Sequence, residues 1–120
     1  MTCSGARATA VLLGGLLVAA CGGYTPANCP NDLPASCPSP APSYRTDVAP
    51  IISVRCLGCH APGKQEASKD FTTYPNVFSQ RQPILTQLFS CRMPPEGEPR
   101  PTAQERAQFL AWLVCGAPDN

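Results

Sequence analysis

A chain of 120 residues allows one domain. Its 9 basic and 8 acidic side chains nearly cancel, which excludes the electrostatic footprint of a nucleic-acid binder and the polybasic patch of a membrane-surface protein. Eight cysteines and 15 prolines in so short a chain point to a small fold that needs help to hold together.

Residues 1–20, MTCSGARATAVLLGGLLVAA, carry one positive charge, Arg7, and then an uncharged apolar run from Ala8 to Ala20. That run is too short to span a bilayer, which takes about 20 residues, but it suits the hydrophobic part of an export signal. It ends in Leu17-Val-Ala-Ala-Cys21, which resembles the lipobox of bacterial lipoproteins. The resemblance implies removal of residues 1–20 and lipidation of Cys21. The product would be a periplasm-facing, lipid-anchored protein of the bacterial envelope, on the outer membrane rather than the inner because Gly22 offers no retention signal. An ordinary small-residue cleavage site before a cysteine is the bland alternative.

Loss of Arg7 leaves eight basic against eight acidic side chains. Outside the cytoplasm unpaired thiols tend to oxidise. Six cysteines then need an explanation: Cys29, Cys37, Cys56, Cys59, Cys91 and Cys115.

Residues 22–43 hold six prolines and almost no bulky apolar side chain, so they read as a semi-extended stalk without a core of its own. Cys29 and Cys37 lie within it and are placed to close a small loop. The folded part is expected over 44–118, small enough to need a staple or a cofactor.

Its first element is TDVAPIISVRC, with Pro50 in a first helical turn and Val48, Ile51 and Ile52 on an apolar face. Two short helical candidates follow, Tyr74 to Ser79 and Pro83 to Phe89. The last element is the most secure. Thr102-Ala-Gln-Glu105 has capping-box spacing, and Ala103, Ala107, Leu110, Ala111 and Val114 recur at helical intervals, widened by Phe109, Trp112 and Leu113. Gly116 and Pro118 are placed to stop it. No alternation of period two is long enough for a strand, so the fold class expected is all-α.

Between the first two helices stands Arg55-Cys-Leu-Gly-Cys-His60. A thioredoxin-like switch would need a βαβ frame that this segment cannot supply, and a zinc site would need a second close-spaced pair. Covalent haem attachment uses every residue: two thiols on one turn for the two vinyl groups, and an imidazole beside them for the iron. His60 is the one histidine of the chain. Met93, the one methionine left after removal of the signal, sits in Cys91-Arg-Met-Pro-Pro95 and is the candidate for the opposite face of the iron.

This order, a short helix, CLGCH, a tyrosine-bearing segment, RMPP and a capped helix ending Trp112-Leu-Val-Cys-Gly-Ala-Pro118, resembles the small class I c-type cytochrome domains of bacterial envelope proteins. The resemblance covers about residues 44–118. It implies short helices wrapped round one haem c, thioether bonds at Cys56 and Cys59, and His60 and Met93 as axial iron ligands. It further implies that the Pro62 carbonyl orients His60 and that Trp112 packs near the haem. The function implied is single-electron transfer between redox protein partners by a monomer that is not an enzyme. Two rivals stay open: a haem-based ligand binder or peroxidase-like unit with an open distal face, and a haem-free, disulfide-stapled surface module.

The extra Cys91 and Cys115 depart from the simpler family pattern. They are expected to bridge to each other, with Cys29–Cys37 as the stalk bridge. The competing arrangement joins Cys29 or Cys37 to Cys91 or Cys115 and stitches stalk to domain.

Overall fold

The computed structural model describes residues 25–120. The expected export signal over residues 1–20 and the expected lipidation site Cys21 lie outside the described residues. Those residues form a π-helical turn, Tyr44–Val48, and four helices: α1 (Ala49–Arg55), α2 (Tyr74–Ser79), α3 (Arg81–Phe89) and α4 (Ala103–Val114). The all-α expectation holds, with no strand among the described residues.

Each helix starts where its sequence provides a beginning. Pro50 lies in the first turn of α1, where its missing N–H costs nothing. Thr73 caps α2 through its side chain. At α4 the full capping box forms, Glu105 N–H donating to Thr102 Oγ1 at 3.1 Å and Thr102 N–H to Glu105 Oε2 at 2.7 Å. Glu105 also accepts two bonds from the Arg55 guanidinium, at 3.0 and 3.1 Å, tying the end of α1 to the start of α4. Gly116, at φ +85°, ends the helix in the left-handed region where a missing Cβ removes the strain.

The core gathers Val48, Ile51 and Ile52 from the first helix and its lead-in, Val77, Ile84 and Leu88 from α2 and α3, and Phe109, Leu110, Trp112 and Leu113 from α4. The buried stripe of α4 differs from expectation. Ala103 and Ala107 are exposed, while Arg106, Phe109, Leu110 and Leu113 face inward. The larger side chains bury more apolar area per residue, so they claim the core face and leave Ala103 and Ala107 to solvent, while Ala111 is buried with them. Trp112 is fully buried, its Nε1 donating to the Pro118 carbonyl at 2.9 Å, with Tyr44 at 5.5 Å and Phe109 at 6.0 Å between ring centres.

The proline-rich segment is not an independent stalk. Cys29 is bonded to Cys91 and Cys37 to Cys115, so the expected Cys91–Cys115 and Cys29–Cys37 bridges are both replaced by the stitching arrangement. Between the two bridges Asp32 pairs with Arg106 of α4. Composition made this segment unable to fold alone, yet two covalent ties and an ion pair to the buried Arg106 supply from outside what it lacks within. Residues 29–37 run across the domain as a strap.

Candidate functional site

With four cysteines bridged, Cys56 and Cys59 are the free thiols among the described residues. Both lie on one turn at the end of α1. Cys56 closes the helix, its N–H donating to Ile52 O at 2.9 Å, and its own carbonyl accepts from Cys59 N–H at 3.1 Å and His60 N–H at 2.9 Å. Helical continuation into CLGCH thus holds two sulfurs and an imidazole on consecutive corners of one turn.

Burial pushes the Cys56 thiol up to about 12, and the neighbouring Cys59 adds to the rise. A thiol this reluctant to ionise is a poor thiolate nucleophile. That weighs against a dithiol switch, whose attacking cysteine needs a lowered pKa. Among the described residues no group of three or more His, Cys, Asp or Glu is placed to hold a metal ion, which removes the four-ligand zinc reading as well.

His60 is held from three sides. Its Nδ1 lies 3.1 Å from the Lys69 carbonyl, its own carbonyl accepts from Phe71 N–H at 2.9 Å, and its ring stacks on Phe71 at 4.4 Å between centres and 13° between planes. The orienting carbonyl is therefore that of Lys69 and not of Pro62, because the loop after Gly63 folds back and brings residue 69 over the ring. A carbonyl only accepts, so Nδ1 carries the proton of this bond.

Met93 sits in the loop after α3, 39% exposed, with its N–H donating to Gln87 O at 3.2 Å. It lines a cavity of about 10 Å³ together with Leu88, Cys91, Pro94, Arg100, Pro101 and Arg106. Ligand pockets usually measure about 300–1,000 Å³. A second, open groove of about 360 Å³ lies between Pro26–Asn31 and Phe89–Arg92. Neither is bounded by Cys56, Cys59 or His60.

The donor set of the turn fits covalent haem: two free thiols, and an imidazole whose Nδ1 is already engaged. The small cavity beside Met93 does not include His60, and Trp112 packs in the core. Residues that sequence reasoning passed over are Lys69 and Phe71. Phe71 is aromatic and stands eleven positions after His60, but backbone contacts across a loop leave no periodic signal.

Compared with known proteins, the chain matches no family model, no curated sequence and no solved structure. The resemblance to class I c-type cytochromes of envelope lipoproteins is accordingly corrected. No family match accompanies it, the extra cysteines pair 29–91 and 37–115, and no metal-holding group stands among the described residues. The chain is not assigned to that family.

Proposed function

We propose that the chain is a small disulfide-stapled helical module of the extracytoplasmic space that presents one turn bearing two unbridged thiols and an imidazole, Cys56 to His60. The module itself needs no cofactor. Its core is filled by its own side chains, its two bridges close long loops, and none of its buried polar side-chain atoms lacks a partner among the described residues. Packing supports this haem-free reading best.

The finer proposal concerns what the turn carries. One observation supports a covalent haem: pairing consumes Cys29, Cys37, Cys91 and Cys115 and leaves unbridged the two thiols that precede His60. Cys56 and Cys59 would hold the group by thioether bonds and His60 would be a ligand to its iron. A bound haem supplies reversible one-electron chemistry at iron, and the module would then pass single electrons between protein partners. Met93 is the candidate for a second iron ligand, and without it the group would suit ligand binding instead.

An alkaline pyridine spectrum of protein exported by a host able to attach haem tests this reading. A c-type haemochrome that survives denaturation, and is lost when Cys56 and Cys59 are both changed to alanine, is the expected result. Absence of covalent haem from correctly bridged protein would leave the haem-free module. In loaded protein, a near-infrared sulfur-to-iron band would place Met93 on the iron, and its absence would favour the open-faced reading.

A further inference from the structure

We propose that Arg106 is the centre of a carboxylate-binding site, that Asp32 of the strap closes it as a tethered ligand, and that the site accepts a small carboxylate from outside once Asp32 is withdrawn. This holds whatever the Cys56–His60 turn carries.

The receiving half is built without the strap. The capping box sets the start of α4, and Arg106 follows one turn later, its N–H donating to Thr102 O at 2.9 Å. Its side chain, 3% exposed, reaches the end of α3, where Nη1 donates to the Leu88 carbonyl and Nη2 to the Phe89 carbonyl at 3.0 Å. Two backbone carbonyls thus fix the guanidinium. The edge that remains is Nε with the second hydrogen of Nη2, two parallel donors that match the two oxygens of a carboxylate.

Asp32 fills that edge, with Oδ2 2.8 Å from Nε and Oδ1 2.9 Å from Nη2. It is delivered by a segment tied down at Cys29 and Cys37. Such tethering gives the carboxylate a local concentration in roughly the millimolar range or above, so a free anion competes poorly while Asp32 stays in place. The way in is open all the same. The Asp32 side chain is 30% exposed, and a groove of about 360 Å³ runs beside the residues that precede it, bounded by Pro30 and Asn31 on the strap and by Phe89 and Arg92 at the α3 end. Arg92 is exposed there and adds a second positive charge to the entrance. A buried guanidinium without a counter-charge is costly, and a carboxylate relieves that cost whichever molecule carries it.

Emptying the edge tests the site. Asp32→Ala removes the carboxylate and leaves room for formate, whereas Asp32→Asn keeps an amide of the same shape in the way. The bridged full-length chains are unfolded in urea at pH 7 in sodium formate and in sodium chloride of equal concentration, so that general screening is the same in both. For a formate Kd of about 50 mM, the folded-to-unfolded ratio of Asp32→Ala should rise about tenfold over its chloride value at about 0.5 M salt. Wild type and Asp32→Asn, with the edge occupied, should change by less than about twofold. If Asp32→Ala is unfolded in chloride, recovery of its helical circular dichroism in formate alone reads the same gain, and failure to recover counts against the site. Equal gains in Asp32→Ala and wild type would overturn the proposal and leave the pair as a structural tie alone. A gain in Asp32→Asn that matches Asp32→Ala would overturn it too, because formate would then be acting elsewhere.

Discussion

Arg106 and Asp32, 74 positions apart, meet in a two-pronged ion pair, Nε to Oδ2 at 2.8 Å and Nη2 to Oδ1 at 2.9 Å. Arg106 is nearly fully buried, whereas Asp32 keeps 30% of its side chain exposed. The same guanidinium donates to the Leu88 carbonyl and, at 3.0 Å, to that of Phe89. One cation thus joins the strap, the end of α3 and the middle of α4.

Removal of Asp32 leaves that cation buried without its counter-charge, which is the costly way to break such a pair. Asp32→Ala should destabilise the chain by about 2–3 kcal/mol, below the full cost of a wholly buried pair because Asp32 is partly solvated. Urea unfolding of the bridged protein measures it. A loss under about 0.5 kcal/mol, the level of an ordinary surface change, would show that the pair is not a structural tie.

The two bridges interleave, their partners 62 and 78 positions apart in sequence. By the chain-entropy estimate each is worth about 4 kcal/mol alone, with the pair not additive because the loops overlap. Non-reducing peptide mapping should return Cys29 with Cys91 and Cys37 with Cys115, and no peptide joining Cys91 to Cys115. Replacing Cys37 and Cys115 together by serine should lower the melting temperature by well over 10 °C in a domain of this size. A mapped Cys91–Cys115 peptide would reverse this assignment.

What the sequence made legible is what local physics decides. The α4 start was readable because a capping box is a contact between residues three apart, and α2 because Pro75 marks its first turn, whereas its Thr73 cap went unread. The strap was not readable from composition, since proline content says that a segment cannot build a core and nothing about whether one will adopt it. Arg106 was the missed signal. A charged side chain on the same helical face as Leu110 and Leu113 must be buried by their packing, and a buried cation requires an acid from elsewhere. Cysteine pairing stayed undecided for a related reason: bond formation depends on distances between chain segments, which spacing does not encode. At the site, the Cys56–Cys59–His60 turn was visible as a motif, while the Lys69 and Phe71 contacts belong to a loop closure without periodicity.

Glu105 carries both the helix cap and the Arg55 contact. Hydrogen bonding from Arg55 holds its carboxyl below the usual range, with the Thr102 backbone and side chain and the Arg55 charge acting in the same direction against desolvation. Because the folded-state value is lowered, the stabilisation is present above the unfolded value near 4.5 and is lost as pH falls through the folded value. Glu105→Gln keeps the size but weakens both contacts. It should cost about 1–2 kcal/mol at pH 7, combining a cap with a partly exposed ion pair. The gap to wild type should narrow when urea midpoints are compared between pH 6 and pH 3. A gap independent of pH would mean that the carboxylate charge is not what stabilises the helix start.

The last prediction concerns the Cys56 thiol before any group is attached to it. With the value pushed from an ordinary 9.0 to about 12, Cys56 in the folded chain should be almost wholly protonated at pH 8. Iodoacetamide reacts with thiolate, so Cys56 should alkylate far more slowly in the native haem-free chain than in the same chain unfolded in urea. Native reactivity should keep climbing with pH beyond 9, where the unfolded thiol levels off. The stability consequence has a definite sign. A raised folded value means that the folded chain binds the proton more tightly, so this contribution is intact below about pH 9 and is lost as pH rises toward about 12. Cys56→Ala removes the titrating group and should flatten the fall in urea midpoint between pH 8.5 and pH 10.5 relative to wild type. Tyr44, whose hydroxyl is also raised by burial, titrates in both proteins and cancels in the comparison. Equal alkylation of native and unfolded chain, followed by mass spectrometry of the Cys56 peptide, would show that the turn leaves this sulfur open to water and ready to ionise.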